Sequence, residues 1–473
     1  MFDTRQFYIN GEWVDSVTKN DLDVINPSDE SVCAVVSLGS QADTDAAVAA
    51  AKAALPSWSV STKDERIALL ERLYDIYERR MEDMAQAISI EMGAPIDFSR
   101  ASQATSGTSA IKEFLRQLKK FEFEEQLDDS ENRLLYEPKG VCALITPWNW
   151  PISQVALKVI PAIAAGCPVL IKPAPKTPLS CMVFIALLRE AGCPEHMAIP
   201  IPTTNELAGK IVTDSRIGAF NFIGSASVGW QLRSKLAPGV RCSLEHGGIA
   251  PVIIDETVDI DTIIPKLIKG GFYHAGQVCV SVQRIFIHNS IKQQFVDKIT
   301  EAAKRQEVGD PTLAATEIGP LIKPQEVDRV ALWVDEAKNG GATITCGGAP
   351  LENQCYASTI VVDPPLDSKL MTHEVFGPVI SINGFNNFDQ AIKVANDKKW
   401  VFQTAIMTND INNAVKASQK IDAATVIIND HTAFRVDWMP FGGHAQSGLA
   451  LGGVKSSIKN FSKEKLIVIN KLN

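Results

Sequence analysis

Apolar residues in the first quarter of the chain fall at helical spacing. In KDERIALLERLYDIYERRMEDMAQAISIEMG (63–93), Ile67, Leu70, Leu73, Ile76 and Tyr77 share one face, and Gly93 ends the run. ASQATSGTSAIKEFLRQLKK (101–120) carries a second helix pattern. FEFEEQLDDSENR (121–133) is acidic and has no clear period, so it reads as an arm or linker. Strand and helix patterns then alternate: VCALIT (141–146), ISQVALKVIPAIAAG (152–166) with a kink expected at Pro161, PVLIKPA (168–174), LSCMVFIALLREAG (179–192) and AFNFIGSASVG (219–229). Short continuous apolar strands between helices predict βα units and a parallel, doubly wound sheet covered on both faces. The second half repeats the rhythm with RIFIH (284–288), a helix over 291–306, VISING (379–384) and ATVIIND (424–430). FSKEKLIVINKL (461–472) is a terminal strand pattern with no neighbour in sequence, so pairing within or between subunits is expected.

Length and composition narrow the class. A chain of 473 residues exceeds one hydrophobic core, so two or three domains are expected. Forty-six basic against fifty-five acidic residues give a formal charge of −9, and no Lys/Arg stripe stands out; a nucleic-acid partner is not expected. The nine cysteines include no C-x-x-C pair and no zinc spacing, so neither a metal site nor a disulfide framework is expected. The opening MFDTRQFYINGEWVDS lacks the basic and apolar regions of a signal peptide. The longest apolar stretch, residues 155–171, is broken by Lys158, Pro161 and Pro168, so no membrane span is expected and a cytoplasmic location follows.

Candidate chemistry is scattered. Neither a P-loop nor a G-x-G-x-x-G after a strand is present. In FIGSASVG, Gly224 and Gly229 bracket a helix start at Ser225, which suits a phosphate but also describes an ordinary βα turn with a serine cap. Glu245 closes a strand before paired glycines in SLEHGGIAP (243–251), as a base or as a solvated loop acid. Asn149 in TPWNWP (146–151) and Glu374 in THEVFGP (372–378) carry the same two readings. Cys279, in GGFYHAGQVCVS (270–281), is either a buried structural thiol or a nucleophile.

The combination is more specific than any part. TPWNWP, IKPAPKTP, FIGSASVG, LEHGG, GQVCVS, HEVFGPV and PFGGHAQSG occur in this order along nearly the whole chain, and together they resemble the aldehyde dehydrogenase superfamily. The opening FYINGEWVDS and INPSDE are similar to that family's first strands. The resemblance implies Cys279 as the nucleophile that forms a thiohemiacetal and then a thioester. It implies Asn149, with the Cys279 backbone N–H, as oxyanion hole, and Glu245 as the base that activates the hydrolytic water. It implies an NAD or NADP site from Thr146, Pro147, Trp148, Lys172, Pro175, Gly224, Ser225, Gly229, Glu374 and Phe376. Lys172 falls at the adenine ribose, Ser225 at the pyrophosphate and Glu374 at the nicotinamide ribose. A base at Glu245 argues for hydrolysis rather than acyl transfer to coenzyme A.

Four departures refine the expectation. Pro175, followed by Lys176, replaces a glutamate that often binds both ribose hydroxyls in NAD-preferring members, so NADP is expected to be tolerated or preferred. His246 follows the base, on the opposite strand face, and reads as structural. PFGGHAQSGLALGG (440–453) has Ala445 at a position that is often basic and lacks an acid that joins Lys158 in a proton relay in some relatives. The substrate funnel is of mixed polarity, with Trp150, Gln154, Val278, Val280, Phe434, Arg435, Asp437 and Trp438 as candidates. Arg435 either anchors an anionic group or pairs internally with Asp437.

The expected fold is α/β and aldehyde dehydrogenase-like. It has a Rossmann-type cofactor domain (1–120 and 141–247), an α/β catalytic domain (248–457) and a small β oligomerisation element (121–140 and 458–473). The expected activity is NAD(P)-dependent oxidation of an aldehyde to the acid in a homodimer or homotetramer, with a semialdehyde or other anionic aldehyde as the alternative substrate. The alternative from another class is a non-catalytic structural or binding relative, against which an intact Cys279, Glu245 and Asn149 speak.

Overall fold

A computed structural model describes residues 2–9, 12–128, 131–397, 400, 402–450 and 452–470. Two largely parallel sheets organise it. The first has six strands in the order Ala198–Pro200, Val169–Lys172, Val141–Ile145, Ile217–Ile223, Arg241–Glu245 and Gly448–Leu449, with only the last antiparallel. The second has seven, in the order Thr343–Cys346, Thr359–Val362, Val379–Phe385, Arg284–His288, Pro251–Ile254, Gln403–Met407 and Thr425–Ile428; its first strand is antiparallel. Val141–Ile145, Val169–Lys172 and Gln403–Met407 are buried almost throughout, as strands covered on both faces must be.

The helical pattern over 63–93 resolves into two helices, Lys63–Arg79 and Met81–Met92, breaking at Arg80. Thr62 and Glu65 form a capping box at the first, and Gly93 (φ +71°) ends the second in the left-handed region where only glycine is unstrained. Pro161 lies inside one helix, Pro151–Ala164. The acidic stretch that has no period in sequence holds the short strand Glu124–Gln126, paired to Arg133–Pro138. Arg133–Pro138 in turn takes the terminal strand Ser462–Ile467, antiparallel from Ser462 opposite Pro138 to Ile467 opposite Arg133. That pairing joins segments more than three hundred positions apart, so no local pattern could reveal it.

The C-terminal strand ends of the first sheet carry motifs, whereas in the second sheet GQVCVS and HEVFGPV lead into the strands Arg284–His288 and Val379–Phe385. Lys172, Ile223 and Glu245 end their strands, with the turn Gly224–Ser225 beyond Ile223. Ligands of doubly wound sheets bind beyond these strand ends.

Candidate active site

Cys279 lies past the helix Ile260–Phe272 on a short, tightly wound segment. His274, Ala275 and Gly276 all have positive φ (+53°, +54° and +68°), so three successive residues hold a left-handed conformation. Such strain persists only where the surroundings impose it. Gly276 leaves no choice: a Cβ there would come within 2.2 Å of the Gly377 carbonyl oxygen. Gln277 is clamped by its side chain, which donates to the carbonyls of His274 and Pro320 (3.3 Å each) and accepts from the Ile322 N–H at 3.0 Å.

The thiol stands half-buried in the wall of a cavity of about 480 Å³. Burial pushes its pKa up to about 12; the carboxylates of Glu374 and Glu245 add to the rise, and Arg435 opposes it. At neutral pH it rests protonated. Asn149 is buried, its Nδ2 donating to the Gln277 carbonyl at 2.9 Å, two residues before Cys279. One of the two amide donors is thereby fixed, and the plane of the other with it.

Glu245 is buried and paired with the buried Lys158. The glycine-rich return of the chain explains how that pair fits. Gly448 pairs with Glu245, and Ser447 accepts from the His246 N–H at 2.9 Å. A Cβ at Gly452 would come within 3.1 Å of Glu245 Oε1. The acid absent from this loop is thus not needed to engage Lys158, which meets the carboxylate directly.

The expected cofactor residues gather around the strand ends of the first sheet. Thr146 is buried and donates its N–H to the Lys172 carbonyl at 3.2 Å. Trp148 meets Phe376 edge-on at 5.5 Å, and Phe376 itself holds φ +48°. Burial lowers Lys172 to about 8, and its Nζ donates to Asn205 Oδ1 at 3.2 Å. Pro175 is exposed at the position that often carries an acid. Ser225 starts the helix Ala226–Arg233 but makes no side-chain cap, so the serine-cap explanation of that turn does not hold. Glu374 is raised to about 8 by burial, and its Oε1 is buried without a hydrogen-bond partner. Gly247 makes room for it, since a Cβ there would lie 2.0 Å from Oε1. An orphaned carboxylate oxygen, an ammonium and an uncapped helix start suit a ribose-phosphate ligand, and NAD(P) fits them.

His246 has a role that strand alternation alone does not reveal. Its Nδ1 lies 3.0 Å from the Gly224 carbonyl, and its ring packs edge-on against Phe222 and Trp230. The imidazole fills the space that a Cβ on Gly229 would need, 2.1 Å from Cε1. Gly229 therefore serves helix–strand packing. Its bare backbone lets His246 sit under the turn.

Trp150, Gln154, Val278, Val280, Phe434, Arg435 and Asp437 all line the cavity. Trp438 does not; it is 65% exposed and turned to the surface. The internal pair expected for Arg435 is also absent. Its guanidinium lies 4.1 Å from the centroid of the Phe441 ring, and no ion pair to Asp437 forms among the described residues. Asp437 contributes only a longer-range field. Sequence reasoning missed Phe98, Tyr273 and Phe441, which complete the aromatic wall. Phe441 and Tyr273 stand inside quoted motifs, but nothing in Phe98's helical surroundings marks it.

Residues 13–467 match the model of the aldehyde dehydrogenase family. The 3-sulfolactaldehyde dehydrogenase of Priestia megaterium is 35% identical over 98% of this chain and 97% of its own length. An aldehyde dehydrogenase from Bartonella henselae superposes with a TM-score of 0.95 at 34% identity, covering 99% of each chain. Aldehyde dehydrogenase 21 from Physcomitrella patens, solved with the reaction product succinate, gives 0.93 at 31% identity over 99% of this chain and 98% of its own. The chain belongs to the aldehyde dehydrogenase family: it is an α/β oxidoreductase that uses NAD(P) to oxidise an aldehyde. Among the described residues no helix is long and apolar enough to cross a membrane, and no cluster suited to a metal ion occurs.

Proposed function

We propose that this enzyme oxidises a small anionic aldehyde, and the observation that carries the reading is Arg435. A half-buried guanidinium without an ion-pair partner, in the wall of the cavity that holds Cys279, is unfavourable unless an anion arrives to meet it. Carboxylate and sulfonate both suit its planar fork. The names of two relatives, one for 3-sulfolactaldehyde and one with bound succinate, agree with that chemistry.

The residues divide the work as follows. The Cys279 sulfur attacks the aldehyde carbon as its proton passes to the free carboxylate oxygen of Glu245 and on to solvent, forming the C–S bond of a thiohemiacetal. Negative charge develops on the former carbonyl oxygen, where Asn149 Nδ2 and the Cys279 N–H receive it. Lys172, the Gly224–Ser225 turn and Glu374 would hold NAD(P), which would supply the hydride acceptor. A thioester on Cys279 results. Lys158 holds Oε1 of Glu245, and the other oxygen takes a proton from water. The water oxygen attacks the thioester carbon, the C–S bond breaks, and the acid leaves as Glu245 passes the proton taken from water to the departing thiolate and the thiol re-forms.

The cofactor is NADP as readily as NAD, because Pro175 removes the repulsive carboxylate and Lys172 and Lys176 stand beside the site. The assembly is a homodimer or homotetramer. The strands Thr425–Ile428 and Ser462–Ile467 end their sheets, and Ile428, Leu466, Val468 and Ile469 are 40–57% exposed there. The division into a cofactor domain over 1–120 and 141–247, a catalytic domain over 248–457 and an oligomerisation element fits the sheets, with the strand Gly448–Leu449 crossing into the cofactor sheet. Nine free thiols fit a cytoplasmic setting.

The test is reduced-nicotinamide formation from anionic and neutral aldehydes of matched length, with each cofactor and beside Cys279→Ala. Turnover of the anionic set that disappears in the variant supports the reading. Equal or better turnover of the neutral set refutes the anionic assignment, and turnover persisting in Cys279→Ala refutes the nucleophile.

A further inference from the structure

We infer that Gln103 is a positioning residue for the oxyanion donor; this rests on the reading of Asn149 given above. Gln103 belongs to none of the motifs. It is completely buried in a π-helical turn, Ser99–Ala104, between the short helix Ile96–Phe98 and the long helix Thr105–Lys120. A π-turn closes its hydrogen bonds one residue wider than an α-helix, is poorer in packing, and recurs at functional sites. Here the widened turn lets Phe98, Ser102 and Ser106 line the cavity while Gln103 enters the protein interior.

The Gln103 Nε2 donates to the Asn149 carbonyl at 3.1 Å. Asn149 Nδ2 then donates to the Gln277 carbonyl at 2.9 Å, and Gln277 is held by three side-chain hydrogen bonds of its own. The three residues form one buried line from the π-turn to the Cys279 segment. Asn149 is thus gripped at its backbone by Gln103 and at its side chain by Gln277. Both contacts set where its remaining N–H points.

A second observation shows which end of the Gln103 amide matters. Its Oε1 is buried and has no hydrogen-bond partner. A buried unpaired acceptor is unfavourable, and an apolar side chain of the same size would avoid it. Methionine or leucine would remove that orphan but would take the donor from the buried Asn149 carbonyl. The donor to Asn149 is what the glutamine adds.

The experiment is a double-mutant cycle on the full-length enzyme with Gln103→Met, Asn149→Ala and the two together; Gln103→Leu replaces the first if it does not fold. Read out are kcat/KM for the aldehyde, cofactor Kd by fluorescence titration, and melting temperature. Gln103→Met should lower kcat/KM about tenfold, within the range that coupling between touching residues spans, and leave cofactor Kd unchanged. In the Asn149→Ala background the same change should cost nothing further, because its only route is through Asn149. Full activity in Gln103→Met, or the same fractional loss in both backgrounds, overturns the proposal and leaves Asn149 in place. Undiminished activity in Asn149→Ala refutes the role of Asn149 itself, and with it this one.

Discussion

Replacing Arg435 by methionine tests the substrate assignment most sharply. The side chain keeps its volume over the Phe441 ring, 4.1 Å from the present guanidinium carbon, and loses only the charge and the hydrogen-bonding fork. A hydrogen bond to a charged group contributes about 1.5–3 kcal/mol. Asp437 stands in the same cavity wall and already offsets part of the Arg435 field, so the lower half of that range applies. Since about 1.4 kcal/mol is a factor of ten, kcat/KM for an anionic aldehyde should fall roughly ten- to fortyfold. The change also reaches Cys279, whose thiol Arg435 helps to hold down. That effect is common to all substrates and cancels in the ratio of anionic to neutral kcat/KM. Matched aldehydes, one ending in carboxylate and one in methyl, provide the ratio. A ratio unchanged by Arg435→Met, whatever happens to the separate values, would sink the argument.

Three further outcomes are expected. Pro175→Glu should shift the NADP-to-NAD ratio of kcat/KM toward NAD by about tenfold or more, by restoring a carboxylate against the 2′-phosphate; steady-state kinetics with each cofactor decides it. Gly229→Ala places a methyl 2.1 Å from His246 Cε1; it should cost about 1–3 kcal/mol in denaturant unfolding and weaken cofactor binding as the Gly224 turn shifts. Glu91 is buried and raised to about 8 by desolvation, although it accepts from the N–H groups of Leu179 and Ser180. The folded state keeps its proton where the unfolded chain has lost it, so the Glu91 contribution to stability is full below the unfolded carboxyl pKa and is lost as pH rises toward 8. Glu91→Gln should flatten that decline in melting temperature between about pH 5 and 8; an unaltered pH slope would contradict the assignment.

The sequence by itself determined the layered α/β class, because the apolar runs at Val141–Ile145, Val169–Lys172 and Arg284–His288 are too short for helices and too continuous for exposed strands. It also nominated the candidate chemical actors, because the order of seven short motifs is a property of the chain alone. Tertiary structure decided what those actors meet. Lys158 and Glu245 stand 87 positions apart, and only the fold makes them a pair. Arg435 and Asp437 are two positions apart, and the fold keeps them from being one. His246 obeys strand alternation, but what its face meets, Gly229 and the Gly224 carbonyl, is set by the helix packed across it. Gln103 carries no local mark, because its environment is contributed by segments around residues 149 and 277. Local pattern reports the burial and conformation a residue prefers. Which partner fills that burial depends on contacts distant in sequence, and those exist only once the sheets have formed.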